Sequence, residues 1–387
     1  MTELTFGARP TLAPDASRIE KWWRTVDQWT FWAVGLLFLI GMVLGLAASP
    51  PLAEKNGLPH FHYVLRQAVF GGLALGGMVI LSMATPAQAR RLATLGFAVC
   101  LAAVALLPWL GTDFGKGAVR WYSLGFASVQ PSEFLKPFFA VFCAWLLAGS
   151  MEENGPPGAV LSAIAAGGTA AMLALQPDFG QATLLLAVWG VTWFVAGAPA
   201  LLLMLMGLGV LGAGYAAYLH SAHFKSRIDA YLAADVEPLT QLGYAADAIV
   251  SGGLFGVGVG EGSVKWSLPD AHTDFIIAVA AEEYGFLFCL IIIALFLVIV
   301  TRAMLRALRE TDAFCRLSGV ALAALFGLQA LVNLGVATRL FPAKGMTLPL
   351  VSYGGSSLLA VGIGLGLMLA MTRRRPQDGG AAGVGRL

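Results

Sequence analysis

The sequence predicts an all-α integral membrane protein with about ten transmembrane helices. Of its 387 residues, 58% are hydrophobic and only 12% are charged, and the mean hydropathy of +0.77 lies far above that of soluble domains. Ten apolar stretches are long enough to cross ~30 Å of hydrocarbon as helices. They cover roughly residues 29–49, 64–84, 92–110, 132–149, 159–175, 180–196, 199–219, 274–300, 316–338 and 354–372.

The distribution of basic residues predicts the orientation of these helices. Lys and Arg concentrate in cytoplasmic segments, and ten spans with an inner N-terminus place fourteen of the 24 basic residues there. These are Arg9, Arg18, Lys21, Arg24, Arg90, Arg91, Arg302, Arg306, Arg309, Arg316, Arg373, Arg374, Arg375 and Arg386. Residues 1–28 lack the features of a removable signal peptide. We therefore expect a cytoplasmic tail (1–28), a membrane domain (29–372) and a second cytoplasmic tail (373–387).

Composition and motifs argue against several classes of protein. The net charge of +2 does not indicate nucleic-acid binding, because membrane topology already explains the basic residues. Cys100, Cys143, Cys289 and Cys315 lie in or beside spans without paired spacing, so we expect no disulfide and no zinc site. The five histidines form no recognisable ligand set. We expect no nucleotide or redox cofactor, since the sequence has no matching motif.

Two outer segments are polar and longer than simple turns. Residues 111–137 carry Lys116 and Arg120, then enter the fourth span with Glu133 and Lys136 three residues apart on one helical face. An aromatic belt with one interfacial ion pair is the alternative interpretation. Residues 220–273 form a large periplasmic loop, with apolar residues at the spacing of short surface helices.

Glycines are concentrated near the end of this loop, and two further polar points occur in otherwise apolar surroundings. The stretch "SGGLFGVGVGEG" could bring backbone amides to a phosphate, although plain loop flexibility explains it equally well. Asp178 follows the fifth span, where it could also cap the next helix. The stretch "LFPAKGMTLPLVSYGGSS" contains Lys344, and its prolines and glycines predict a buried re-entrant segment or a cavity lining.

The segment "LPDAHTDFIIAVAAEEYGF" places acids at and within a predicted span. Ionisable groups in hydrocarbon are costly, so they normally face a cavity, a partner or a substrate. Asp270 and Asp274 would share a helical face if the helix begins at Asp270, although Asp270 is alternatively the N-cap. We assign Glu282 and Glu283, which point to different sides of such a helix, to structural pairing.

Five ordered motifs carry a family resemblance: "YVLRQ", "RWYSLGFASVQPSEFLK", "QPDFG", "SGGLFGVGVGEGSVKWSLPDAHTDFIIAVAAEEYG" and "FPAKGMTLPLVSYGGSS". Together they make residues 29–372 resemble the SEDS family of bacterial membrane proteins (FtsW/RodA/SpoVE). A lysine two residues after Pro342 is typical of the division branch of that family. The chain departs from many relatives at Ser128, where they carry a basic residue, and in "HTDFII", where they have "HTDFIF".

The resemblance implies a peptidoglycan glycosyltransferase that polymerises lipid II at the division septum of the bacterial inner membrane. It places the catalytic aspartate at Asp274. It also implies that class B penicillin-binding transpeptidases and other division proteins are partners. Lipid II flipping is the rival activity for the same family. The family's other polar positions correspond to Arg66, Glu133, Lys136, Asp178, Gln241 and Lys344.

The residues themselves are compatible with this chemistry. Glycosyl transfer with a pyrophosphate leaving group needs one carboxylate as base and cations near the departing charge, and it inverts configuration. Pyrophosphate chemistry also admits a divalent cation. A transporter is the alternative class, since intramembrane charges mark transport pathways as well. The candidate groups gather on one side of the membrane, which favours the enzyme.

Overall fold

A computed structural model describes residues 17–115, 118–125, 127–232, 240–268, 270–342 and 345–374. The described chain is helical, as the sequence predicts. Its helices are α1 Arg18–Thr25, α2 Gln28–Ala48, α3 Pro50–Lys55, α4 His62–Ser82, α5 Pro86–Leu110, α6 Pro131–Gly149, α7 Gly158–Leu175, α8 Phe179–Val195, α9 Ala200–His220, α10 Ala222–Leu232, α11 Gln241–Gly252, α12 Ile276–Tyr284, α13 Phe286–Ala307, α14 Ala313–Ala337 and α15 Gly355–Met371. A 3₁₀ turn covers Val264–Trp266, and a small antiparallel hairpin pairs β1 (Tyr122–Ser123) with β2 (Ser128–Val129).

Apolar helices account for each of the ten predicted spans. Within the described residues, eight helices are long and apolar enough to cross a membrane: α2, α4, α5, α6, α7, α9, α13 and α14. The shorter apolar helices α8 and α15 coincide with the sixth and tenth predicted spans. The chain is therefore a multi-pass membrane protein.

The start predicted for the eighth span, residues 274–300, is wrong. Gly285 breaks this stretch into two helices, because its φ of +83° lies in the left-handed region. A Cβ on Gly285 would also lie 2.4 Å from the backbone nitrogen of Gly256. The spanning helix is α13, whose 22 residues reach about 33 Å on their own. The buried helix α12 precedes it as a separate element.

Helices α6 and α14 form the centre of the bundle. The apolar windows of both are 72% buried, whereas no residue in that of α9 is buried. Small residues allow α15 to approach α4 closely: a Cβ on Gly362 would lie 2.5 Å from the carbonyl oxygen of Ala74. The bundle core is consequently built from α6 and α14, with α4 and α15 packed against each other beside it.

A cluster of ion pairs lies at the predicted cytoplasmic end of the helix bundle. Arg302 on α13 donates two hydrogen bonds to the Asp27 carboxylate, at 2.8 and 2.9 Å, and Arg306 lies 3.1 Å from it. Burial alone would raise the pKa of Asp27, but these guanidinium groups hold it below its ordinary value. Asp27 precedes α2, so the cluster joins α2 to α13.

Candidate functional site

A polar cavity of about 360 Å³ opens where the N-terminal parts of α4 and α6 meet the segments that lead into α12 and α15. All these elements lie at the predicted outer end of the bundle. Its walls carry both acids and arginines. The lining residues are Arg66, Phe70, Arg120, Trp121, Ala127, Ser128, Gln130, Glu133, Asp270, Thr273, Asp274, Gly345, Thr347, Tyr353, Gly354, Gly355, Ser356 and Ser357.

The two aspartates reach this cavity from a tight turn. The backbone nitrogens of Thr273 and Asp274 both donate to the carbonyl oxygen of Asp270, each at 3.1 Å. The N-cap of α12 is Phe275, so the interpretation of Asp270 as a helix cap is wrong. The φ angle of Asp270 is +55°, in the left-handed region, so Asp270 is not part of a right-handed helix. Both aspartates therefore line one cavity through the turn rather than through a shared helical face.

Asn333 on α14 fixes the backbone beside Asp274. Its side-chain amide donates to the carbonyl oxygens of Asp274 at 2.9 Å and Met346 at 2.6 Å. This joins the aspartate turn to the loop before α15. A Cβ on Gly345 would lie 3.3 Å from Oδ2 of Asp274, so a glycine leaves space beside the carboxylate. Asn333 holds the position of the carboxylate without lining the cavity.

Glu133 and Lys136 belong to a buried network at the base of the cavity. Lys136 Nζ donates to Glu133 Oε2 and to Gln329 Oε1, both at 2.9 Å. Gln181 Nε2 donates to the other Glu133 oxygen at 2.7 Å. Glu133 reaches the cavity wall, but Lys136 is 2% exposed and is not part of that wall. The geometry favours pairing as the role of Lys136.

Two arginines supply positive charge to the cavity. Arg66 on α4 lies with its guanidinium 6.0 Å from the ring centre of Phe70. Arg120 donates to the carbonyl oxygens of Gln176 and Pro177, at 2.9 and 2.8 Å. The sequence predicted Arg66 as a site residue and missed Arg120, although Arg120 opens the quoted motif "RWYSLGFASVQPSEFLK".

The remaining predicted site residues have different positions. Asp178 is the N-cap of α8 and accepts a hydrogen bond from the backbone nitrogen of Gln181. Burial raises the pKa of its carboxyl group, against the opposing effect of Arg120. Gln241 begins α11, is exposed and does not line the cavity. Lys344 lies outside the described residues.

The loop before α15 is a buried irregular segment, as its prolines and glycines predict. Leu348, Leu350 and Val351 are at most 1% exposed. Side chains of spanning helices satisfy its backbone: Gln67 donates to the carbonyl oxygen of Val351, and Gln329 to that of Thr347, both at 3.2 Å. Such irregular backbone is tolerated at membrane depth only inside protein or beside a watery cavity.

Glu282 and Glu283 bind the glycine-rich loop. Ser263 and Val264 donate their backbone N–H groups to Glu282 Oε1, at 2.8 and 2.9 Å, and Gly260 donates to Glu283 Oε2 at 3.0 Å. Lys265 forms a buried ion pair with Glu283. The prediction of structural pairing is confirmed. In the glycine-rich stretch itself, Val257 and Gly258 donate to the carbonyl oxygens of Glu282 and Glu283. These amides already have partners in the chain, so the structure does not favour a phosphate there.

The cavity brings the carboxyl groups of two aspartates and the guanidinium groups of two arginines together. Within the described residues, no three His, Cys, Asp or Glu side chains are grouped closely enough to hold a metal ion. Asp270 and Asp274 can accept a proton, while Arg66 and Arg120 can stabilise an anionic leaving group.

The fold and the cavity define a class: helical multi-pass membrane proteins with an ionisable site open at one end of the bundle. The chain belongs to the FtsW/RodA/SpoVE family, described as cell cycle proteins, whose sequence profile matches residues 28–377. It is 39% identical over 371 residues to the probable peptidoglycan glycosyltransferase FtsW of Caulobacter vibrioides, covering 95% of each chain. It is 32% identical over 353 residues to the stage V sporulation protein E of Bacillus subtilis, covering 87% of this chain and 94% of that protein.

Solved structures show the same fold. One, described as structural coordination of polymerization and crosslinking by a peptidoglycan synthase complex, matches with a TM-score of 0.74 and 30% identity, over 90% of this chain and 97% of that chain. The rod shape determining protein RodA of Thermus thermophilus matches with a TM-score of 0.67 and 29% identity over the same shares.

Proposed function

We propose that this protein is a peptidoglycan glycosyltransferase that polymerises lipid II into glycan strands. The observation that carries the proposal is that one cavity contains Asp274 together with two arginines. Relatives that share most of the chain bear the name peptidoglycan glycosyltransferase, which supports this assignment. The proposed location is the bacterial inner membrane at the division septum, with both termini in the cytoplasm.

Asp274 is the general base of the proposed reaction. It accepts the proton of the 4-hydroxyl group of an acceptor sugar, whose oxygen attacks the anomeric carbon of a lipid-linked donor. The bond from that carbon to the pyrophosphate oxygen breaks, and lipid pyrophosphate leaves with the bonding electrons. Because attack is opposite the leaving group, configuration inverts and a nucleophilic second carboxylate is unnecessary. Asn333 holds the backbone that carries the carboxylate, and Gly345 leaves space beside it.

Arg66 and Arg120 are the proposed partners of the departing pyrophosphate. Arginine is suited to this role because its planar guanidinium binds phosphate oxygens in pairs. Lys344 is a further proposed cation, by its match to the family motif. Glu133, Lys136 and Asp178 are proposed to support the cavity wall from beneath and beside it. For Gln241 the proposed substrate contact rests on the family resemblance alone.

A class B penicillin-binding transpeptidase is the proposed partner, with other division proteins as activators. The transpeptidase would crosslink the strands that this chain polymerises. The solved structure described as a peptidoglycan synthase complex, which coordinates polymerization and crosslinking, supports a partner of this kind.

The decisive experiment uses purified protein in detergent with labelled lipid II. Polymerisation there needs no second compartment, so it separates an enzyme from a lipid II transporter. Asp274→Asn is nearly isosteric, keeps hydrogen bonding and removes the proton acceptor. We expect it to lower the polymerisation rate ~100- to 10,000-fold while leaving lipid II binding intact.

Asp247→Asn is the matched control, because Asp247 is exposed on α11 and away from the cavity lining. It should polymerise at the parent rate. If well-folded Asp274→Asn protein also does so, Asp274 is not the base. If the parent protein itself makes no polymer but moves lipid II across vesicles, the transporter is the better assignment.

A further inference from the structure

A second cavity lies on the other side of the aspartate turn. It is smaller than the first, with a volume of about 90 Å³ against about 360 Å³. Asp270 borders both cavities. The rest of the turn divides between them. The first cavity is also lined by Thr273 and Asp274, and the second by Ala271 and His272. The turn is therefore a thin wall between the proposed reaction centre and this second cavity.

The walls of the second cavity suit a sugar chain. Trp266 lies at its edge with 56% of its surface exposed, which offers an aromatic face to the C–H face of a sugar ring. Lys55 on α3 is exposed at the same cavity, and the Asp270 carboxylate can accept hydroxyl hydrogen bonds. The other lysine, Lys265, is already paired with Glu283. An exposed aromatic side chain, a cation and an acid in one cavity suit a polar, ring-shaped ligand.

A polymerising enzyme needs space for the sugars that no longer react. Only one glycosidic bond forms beside Asp274 at a time, so the preceding part of the strand must leave the first cavity. The second cavity begins at a residue that the two cavities share, and it faces the same predicted outer side. The lining residues of the second cavity and its position beside the proposed reaction centre thus suit the part of the strand that has already been made.

We propose that the cavity around Trp266 and Lys55 binds the growing glycan strand and keeps it attached between additions. This inference rests on the proposed function. Trp266 packs against a saccharide ring, and Lys55 pairs with a carboxylate of the peptide that the strand carries. Weaker binding there releases strands sooner, so strand length depends on these residues more than the rate of the first transfer does.

The test measures strand length and initial rate together, with labelled lipid II and the purified full chain. Trp266→Ala should shorten the mean strand about two- to tenfold, the loss expected for one aromatic contact, and lower the initial rate less. Trp109→Ala is the matched control, because Trp109 is also exposed at the predicted outer side but lies outside both cavities. It should change neither quantity.

Strands of parental length from Trp266→Ala would overturn the proposal, as would an equal fall in rate and length. If Trp266→Ala does not fold, Lys55→Glu decides in the same way, since Lys55 is a surface residue and the new charge repels a carboxylate. A parent protein that makes no polymer at all would instead refute the proposed function.

Discussion

Replacing Lys136 by methionine tests whether this buried lysine supports the cavity or contacts substrate. Its ammonium group binds Glu133 and Gln329 and is almost inaccessible to water. Removing one partner of a buried ion pair costs about 3–5 kcal/mol, because the other charge stays buried and unpaired. Glu133 keeps its hydrogen bond from Gln181, so we expect a loss near the lower end, about 3 kcal/mol.

The assay is the free energy of unfolding of the purified protein in mixed detergent micelles, beside lipid II polymerisation. The double variant Lys136→Met with Glu133→Gln removes both charges and leaves an amide that still bonds Gln181. We expect its stability to lie within about 1 kcal/mol of the parent value. The exchange of the two residues, Glu133→Lys with Lys136→Glu, should also regain activity if pairing is the role.

One combination of results would refute this reasoning. If Lys136→Met is as stable as the parent, and neither the double variant nor the exchange restores polymerisation, Lys136 acts on substrate. The sequence allowed both roles, since the spacing of Glu133 and Lys136 fits a helical ion pair and the family resemblance fits substrate contact.

Two further predictions concern topology and partners. A thiol introduced at Leu232 should react with a membrane-impermeant reagent from outside, and one at Arg306 should not, because basic density places Arg306 in the cytoplasm; labelling at Arg306 from outside would reverse the orientation. The chain should co-purify with a class B penicillin-binding transpeptidase and polymerise faster in its presence. Full activity of the isolated chain, together with no binding of the transpeptidase, would contradict the proposed partnership.

The sequence alone determined the class of fold and the family. Each predicted span overlaps an apolar helix, because crossing hydrocarbon requires a long apolar helix whose backbone bonds itself, and that requirement is visible in composition. The buried irregular loop before α15 was predictable for a related reason, since its prolines and glycines exclude helix. The boundary at Gly285 was missed: Glu282, Glu283 and the glycine interrupt the apolar stretch, but apolar residues resume directly after it.

Tertiary structure decided which polar residues share the site. Asp274 and Arg66 are more than two hundred positions apart, and only helix packing brings both to one cavity. Local spacing suggested a cap at Asp270 and left the glycine loop open to phosphate. The turn at Asp270 and the hydrogen bonds of the loop amides to Glu282 and Glu283 decided otherwise. The physical reason is that buried polar groups must find partners, and those partners are distant in sequence.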